Sequence, residues 1–330
     1  MRFEAFSEGK DLDHPEANED QFLFVPGCGF AVIDGVTDIS GRVVDGMRTG
    51  RLASGIVQRA TIGFLCDAGA SDARPEALIE HVSAALRACY VRLGIVDEVT
   101  AHPARRFGAT LTLAIDRGDS FRFILIGDSG LRLNGAETVV IGEGLDHVTA
   151  TLRQEAFRLV AEAGGDLAAQ RAVGRACSFY GASALHADMQ PWLDDASLES
   201  LHGRSLASCK ARFPAAPEAD IALLLDRGIS GQTQFQNNTL SPFSYAVFDG
   251  FDIPMKLVGV IDRPKIALTS IELFSDGYFK SGATPDVAAW EVAFEDVERS
   301  DAEKIGPYMS VKGSYGRMRT DDRTIVIARL

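Results

Sequence analysis

The chain has 330 residues, of which 46% are hydrophobic and 24% are charged, as in ordinary soluble globular proteins. Its formal net charge is −13, and no Lys/Arg cluster supplies the basic patch that a nucleic-acid-binding protein needs. No apolar run approaches the roughly 20 residues that span a bilayer, and the polar stretch from Met1 to Lys10 contains no signal-peptide apolar region, so we expect a cytoplasmic protein without a membrane partner.

The N-terminal half predicts short strands, two long helices and a hairpin. The first helix is indicated by apolar residues at helical spacing, and the second by Pro75, which suits a first-turn position. The hairpin is indicated by two alternating runs around a polar turn. In chain order, the predicted elements are strands over Gln21–Val25 and Phe30–Ile33, helices over Arg48–Asp67 and Pro75–Leu93, a hairpin of Ala109–Ile115 and Phe121–Ile126, and a strand over Gly130–Leu133.

The middle of the chain differs from its two ends. Residues from about 146 to 242 are predicted to be mostly helical, over Leu152–Glu162, Asp194–Leu206 and Ile221–Arg227, with a polar loop from Gln232 to Pro242. The strand pattern resumes from Ile266, and the last elements are a helix over Pro285–Arg299 and a strand over Thr324–Leu330. We therefore predict a single domain over residues 1–330, of class α+β, with a helical insertion at about 146–242.

Aspartates stand at the ends of several apolar runs that are far apart in sequence. Asp34, Asp128 and Asp276 each follow such a run, and the pair Asp321-Asp322 precedes the last one. Because apolar strands are buried, their ends lie at the rim of a core, where several carboxylates could gather around a hard cation. The five cysteines form no C-x-x-C pair and the six histidines form no H-E-x-x-H motif, so oxygen chemistry with Mg²⁺ or Mn²⁺ is favoured over zinc.

The order of these motifs resembles one known family. The chain carries Asn18-Glu19-Asp20, Asp34-Gly35, Gly108-Ala109-Thr110, Gly127-Asp128-Ser129, Ser275-Asp276-Gly277 and Asp321-Asp322-Arg323-Thr324. This series is similar to that of the metal-dependent protein phosphatases of the 2C type, over roughly residues 15–135 and 266–330. The resemblance implies a four-layer α-β-β-α sandwich, in which two antiparallel sheets are flanked by helices.

The resemblance also implies a centre of two, or three, Mg²⁺ or Mn²⁺ ions. Carried over residue by residue, Asp34 would bridge two ions and Gly35 would offer its backbone carbonyl. Asp276 and Asp321 would complete one metal site, and Asp128 would belong to a weaker third site. Asp322 stays open as an alternative to Asp321, because it occupies the place of the family's usual Asn.

The implied reaction is hydrolysis of phosphoserine or phosphothreonine in a phosphorylated protein substrate by a metal-activated water. Glu19 and Asp20 would act in catalysis through metal-bound waters. The mechanism requires no nucleophilic Ser, Cys or His side chain, since two cations can activate water directly.

The chain departs from the family where the substrate phosphate is handled. The family's arginine before N-E-D is replaced by the stretch Asp13–Glu16, where Lys10 and His14 are candidate substitutes. The stretch Val36–Ser40 follows Asp34-Gly35 and lacks the histidine proposed as a general acid in some members, and Gly130 stands in the place of the usual Arg. A degenerate member that binds metal or a phosphorylated partner with little catalysis is therefore the alternative hypothesis.

Four further points concern alternatives that the residues disfavour or leave open. An aspartyl-phosphate phosphotransferase is weakly indicated by Asp34–Thr37, but Val36 stands where that class has its second aspartate. Asp249-Gly250 has no counterpart in the motif order and is predicted to be a turn. The insertion could be a substrate-selecting flap, a docking surface or a dimer surface, and the oligomeric state stays open.

Overall fold

A computed structural model describes residues 1–38, 41–67, 74–142, 144–184 and 192–330. Ile39 and Ser40, and residues 185–191 of the predicted insertion, lie outside the described residues. The described residues form two compact units. The first consists of Met1–Ile141, Tyr245–Val297 and Arg317–Leu330, and the second of Gly142–Ser244 and Glu298–Gly316.

The first unit contains two five-stranded antiparallel sheets. The first sheet has the order β1-β12-β11-β8-β9, with β1 Arg2–Glu8, β8 Gly130–Leu133, β9 Glu137–Val139, β11 Ser270–Phe274 and β12 Arg323–Arg329. The second has the order β10-β7-β6-β3-β2, with β2 Gln21–Val25, β3 Gly29–Ile33, β6 Leu111–Asp116, β7 Ser120–Ile126 and β10 Gly259–Pro264. A short ribbon pairs β4 Val43–Val44 with β5 Met47–Arg48.

Helices cover the outer faces of these sheets. The helices of this unit are α1 Thr49–Asp67, α2 Pro75–Leu93, α3 Val96–Ala101 and α8 Val287–Ser300, whose last three residues belong to the second unit. α2 begins at Pro75, as predicted, and ends at Gly94, whose φ of 67° is a left-handed conformation that glycine adopts readily. In the described part of the chain, no helix is long and apolar enough to cross a membrane.

Three apolar clusters define the layers of the sandwich. Side chains between the two sheets form one cluster, which includes Phe30, Phe123, Leu131, Leu273 and Val326. A second cluster joins β3, β6 and β7 to α1 and α2, and a third joins β11 and β12 to α8 through residues such as Trp290. The α+β class, with two antiparallel sheets flanked by helices, is therefore confirmed.

The second unit is helical and has its own core. Its helices are α4 Gly144–Glu162, α5 Leu167–Tyr180, α6 Asp195–Arg212 and α7 Glu218–Arg227. Arg153 of α4 donates hydrogen bonds to the carbonyls of Glu303 and Lys304, so residues beyond the predicted insertion complete this unit. Its function as a flap or a docking surface stays a prediction.

Several described helices and strands were not predicted from the sequence, namely β1, β4, β5, α3, β9, α5 and β10, and several boundaries shifted. β1 and β10 are edge strands in which charged residues, Gly or Pro interrupt the apolar alternation, and pairing with distant β12 and β7 stabilises them. α5 carries a signal that could have revealed it, because Asp166 caps its first turn by accepting from the Ala169 N–H at 2.8 Å. A 3-10 helix over Gly228–Gln234 overlaps the first residues of the loop predicted from Gln232 to Pro242.

Candidate metal centre

The strand-end aspartates meet at one end of the sandwich. Asp34 follows β3 and Asp128 follows β7 of one sheet, whereas Asp276 follows β11 and Asp321 precedes β12 of the other. All four are half-buried. Burial of the Asp34 carboxyl raises its pKa well above the usual value, and so do the charges of its acidic neighbours, Asp20, Asp276, Asp128 and Asp321. The structure therefore brings the predicted carboxylates within electrostatic range of one another.

Glu19 and Asp20 lie deeper, with exposed fractions of 1% and 2%. The Ser275 hydroxyl donates to Asp20 Oδ2 at 2.7 Å, and the Thr37 hydroxyl donates to Glu19 Oε2 at 2.7 Å. The other oxygens, Glu19 Oε1 and Asp20 Oδ1, are buried without a hydrogen-bond partner. Burial, followed by the charge of Asp322, raises the pKa of Asp20 to about 7. One oxygen of each carboxylate is thus buried without a donor, which is costly unless a cation or an ordered water compensates it.

The S-D-G and D-D motifs are joined by hydrogen bonds and by a close backbone contact. The Ser275 N–H donates to the Thr324 carbonyl at 2.9 Å, and the Thr324 N–H donates to Ser275 Oγ at 2.8 Å. Gly277 packs against the backbone of the D-D loop so closely that a Cβ would lie 2.1 Å from the Asp322 carbonyl oxygen. Only glycine permits this approach, which fixes Asp276 relative to Asp321.

The G-A-T motif connects the other two aspartate loops. The Thr110 N–H donates to the Asp34 carbonyl at 2.8 Å, and the Thr110 hydroxyl is hydrogen-bonded to the Ser129 hydroxyl at 3.0 Å. Gly127 has a φ of 92°, and a Cβ there would lie 2.4 Å from Thr110. The motif residues that carry no charge thus position Asp34 and Asp128.

The two adjacent aspartates of the D-D motif have different environments. Asp322 is buried, and its carboxylate accepts from the Lys10 N–H at 2.7 Å and the Glu19 N–H at 3.4 Å. Asp321 is half-buried and faces the carboxylate cluster. These contacts make Asp322 a connector between chain segments and favour Asp321 as the ligand, although the role itself stays a prediction.

Lys10 reaches the site and His14 does not. The Lys10 ammonium lies 3.0 Å from Asp321 Oδ1, 3.1 Å from Glu19 Oε2 and 3.1 Å from Asp322 Oδ2. Burial would lower the pKa of Lys10, but the three carboxylates outweigh this effect and raise it well above its usual value. The His14 side chain is 66% exposed and lies beside Glu16. Of the two candidate substitutes for the arginine, only Lys10 is in place.

The chemistry of the donor set fits a hard divalent cation. Within the described ranges of the chain, no three His, Cys, Asp or Glu side chains are grouped in the arrangement of a ready ion site. The unpartnered oxygens of Glu19 and Asp20 and the purely oxygen-bearing side chains nevertheless match the preference of Mg²⁺ and Mn²⁺.

A further group behind the site was missed at the sequence level. Tyr278 and Arg323 each follow an aspartate motif closely, and both bind Glu291 of α8. The Tyr278 hydroxyl donates to Glu291 Oε1 at 2.6 Å, and Arg323 Nη2 donates to Glu291 Oε2 at 2.7 Å. Glu291 lies at a half-buried helix position that nothing in the sequence distinguishes from its neighbours.

The pair Asp249-Gly250 is a turn, as predicted. Asp249 is fully buried, accepts from the Phe251 N–H at 2.9 Å and pairs with Arg106 at 3.0 Å. Gly250 has a φ of 84°. The Asp249 carboxylate is therefore satisfied by a backbone N–H of the turn and by Arg106, from a distant part of the chain.

Comparisons with known proteins place these features in context. No protein-family model and no curated protein matches the chain by sequence. Among solved structures, the catalytic domain of the serine/threonine protein phosphatase PstP in complex with two manganese ions has a TM-score of 0.46 and 16% identity, with 99% of this chain and 97% of that chain covered. The serine/threonine phosphatase Stp1 from Staphylococcus aureus has a TM-score of 0.42 and 11% identity, with 100% and 95% covered. PppA of Pseudomonas aeruginosa has a TM-score of 0.40 and 15% identity, with 100% and 97% covered.

Proposed function

We propose that the chain hydrolyses phosphate monoesters with Mg²⁺ or Mn²⁺, and that phosphoserine or phosphothreonine in proteins is its substrate. The observation that carries this proposal is the pair of buried, unpartnered carboxylate oxygens on Glu19 and Asp20 beside Asp34. Buried anionic oxygens are costly unless a cation or its ordered water compensates them. The reaction class is supported by the order of the six motifs, which resembles that of the 2C-type protein phosphatases.

The residues that would hold the ions are those at the rim of the site. Asp34, the Gly35 carbonyl, Asp276 and Asp321 would hold two ions, and Asp128 would contribute to a third, weaker site. Bound ions would neutralise the doubly charged phosphate and make a bound water acidic enough to act as the nucleophile.

The chain's own residues have separate tasks in this reaction. Glu19 and Asp20 would orient water from the buried side of the site. Thr37 and Ser275 hold one oxygen of each carboxylate in place, and the other oxygen is buried without a partner. The carboxylates at the rim are half-buried, so they are partly accessible to solvent. Hydrolysis adds the oxygen of water to phosphorus and releases the serine or threonine with a proton, so no covalent phospho-enzyme is needed.

The test compares metal-stripped protein with and without added Mn²⁺ or Mg²⁺. We expect p-nitrophenyl phosphate and a phosphoserine peptide to be hydrolysed only when the ion is present. Asp276→Asn should lose at least about a hundredfold in rate, the scale of removing a ligand group from a catalytic cation. Asp252→Asn is the matched control, because Asp252 is exposed, and it should retain the wild-type rate.

The outcomes separate the proposal from its alternative. A folded Asp276→Asn protein with an undiminished Mn²⁺-dependent rate would contradict the assignment of the site. Protein that binds Mn²⁺ in calorimetry but hydrolyses neither substrate would instead support the degenerate, binding-only hypothesis.

A further inference from the structure

Lys10 places a positive charge inside the candidate metal centre. Its ammonium contacts the carboxylates of Glu19, Asp321 and Asp322 at 3.0 to 3.1 Å and the Thr37 hydroxyl at 3.0 Å. Only 13% of the side chain is exposed. These are oxygens that a hard cation would also select.

The position of Lys10 is fixed by its backbone as well as by its side chain. Its N–H donates to Asp322 Oδ1 at 2.7 Å, and its carbonyl accepts from the Arg319 N–H at 2.7 Å. The segment after β1 is therefore attached to the loop that carries Asp321. A side chain fixed at both levels returns to the same place, unlike an exposed lysine that samples many rotamers.

Lys10 and a divalent ion would require the same oxygens. Asp321 is the predicted ligand closest to the ammonium, and Glu19 keeps its second oxygen, Oε1, buried without a partner. An ammonium and a divalent cation repel each other strongly at close range. A divalent ion that binds Asp321 would therefore weaken the contact between Asp321 and the Lys10 ammonium, and the ammonium would weaken the binding of the ion.

We propose that Lys10 is a built-in competitor for the divalent cation, which holds the acidic side of the site together in metal-free protein and lowers metal affinity. The proposal rests on the proposed function in taking Mg²⁺ or Mn²⁺ as the competing ion. Its consequence is that the site fills only when the free metal concentration is high enough to displace the ammonium from Asp321, so that activity follows metal supply.

The test measures Mn²⁺ binding directly, by the electron paramagnetic resonance signal of free Mn²⁺, together with thermal unfolding in EDTA. Lys10→Met removes the charge but keeps the length of the side chain. We expect it to bind Mn²⁺ at least about tenfold more tightly, the scale of removing one like charge at contact distance. The same variant should unfold at a lower temperature in EDTA, because three carboxylates lose their common partner.

Two further variants serve as controls. Lys10→Arg keeps the positive charge and should retain the weak affinity of the wild-type protein. Lys256→Met removes an exposed lysine, so it changes the net charge equally but should leave Mn²⁺ affinity unchanged.

The outcomes distinguish this inference from the proposed function. Equal or weaker Mn²⁺ binding by folded Lys10→Met would overturn the role of Lys10, and the metal-dependent function would still stand on the binding by wild-type protein. Absence of Mn²⁺ binding in every folded variant would overturn both. If Lys10→Met binds Mn²⁺ and the wild-type protein does not, Lys10 acts as a competitor. The wild-type chain would then fit the hypothesis of a degenerate family member with little catalysis.

Discussion

Glu291 of α8 connects the two loops that carry Asp276 and Asp321, and its removal should loosen both. Tyr278 and Arg323 are 5% and 4% exposed, so Glu291→Ala would deprive a buried hydroxyl of its carboxylate acceptor and leave a buried guanidinium with one carboxylate fewer. Breaking a buried ion pair costs roughly 3–5 kcal/mol. We expect about 3 kcal/mol here, at the lower end of that range, since Glu8 also pairs with Arg323 at 2.8 Å.

The assay combines thermal unfolding in EDTA with a Mn²⁺ titration. A loss of about 3 kcal/mol should lower the midpoint by about 4 °C, because a chain of 330 residues has an unfolding entropy of about 0.7 kcal/mol/K. Because supporting residues orient metal ligands, Mn²⁺ should also bind about 10–100-fold more weakly. Glu291→Gln keeps an acceptor for Tyr278 and should recover part of both effects. Glu295→Gln, at an exposed position of the same helix, is the control and should change neither.

Two results would contradict this reasoning. If Glu291→Ala lowers the unfolding temperature as expected but binds Mn²⁺ like the wild type, Glu291 stabilises the fold without positioning the ligands. If neither quantity changes, the hydrogen bonds to Tyr278 and Arg323 contribute nothing measurable in solution.

Three other predictions concern the close approach of Gly277, the binding of Mn²⁺ and the reactivity of two cysteines. Gly277→Ala should destabilise the protein by about 2 kcal/mol or more in urea unfolding, because its Cβ would overlap the Asp322 carbonyl; an unchanged midpoint would contradict that close approach. Mn²⁺ added to metal-stripped protein should raise its stability by about 2.7 kcal/mol at a hundredfold excess over Kd, and a thermal scan without any shift would argue against specific binding. Ellman's reagent at pH 8 should react readily with exposed Cys66 but not with Cys177, whose thiol pKa burial raises to about 12, until the chain unfolds.

Much of the fold could be predicted because local patterns and tertiary packing agree there. The hairpin of β6 and β7, the helix α2 and the strands β2 and β3 all bury the faces that their apolar spacing indicates. The prediction failed for β1 and β10, whose alternation is interrupted and whose stability comes from partners far along the chain. An edge strand of this kind is defined by its neighbour more than by its own residues.

The candidate site could likewise be predicted only in part. The positions and order of the strand-end carboxylates can be read from the sequence, because a buried apolar run must end where a polar residue can meet water. Folding in three dimensions determines that Asp322 accepts from two backbone N–H groups while Asp321 is half-buried among the carboxylates. It also determines that the Lys10 ammonium lies among those carboxylates and that Glu291 supports two ligand loops at once. The reason is physical: these contacts join residues up to 312 positions apart, and local patterning carries no information about which charges a fold will bring together.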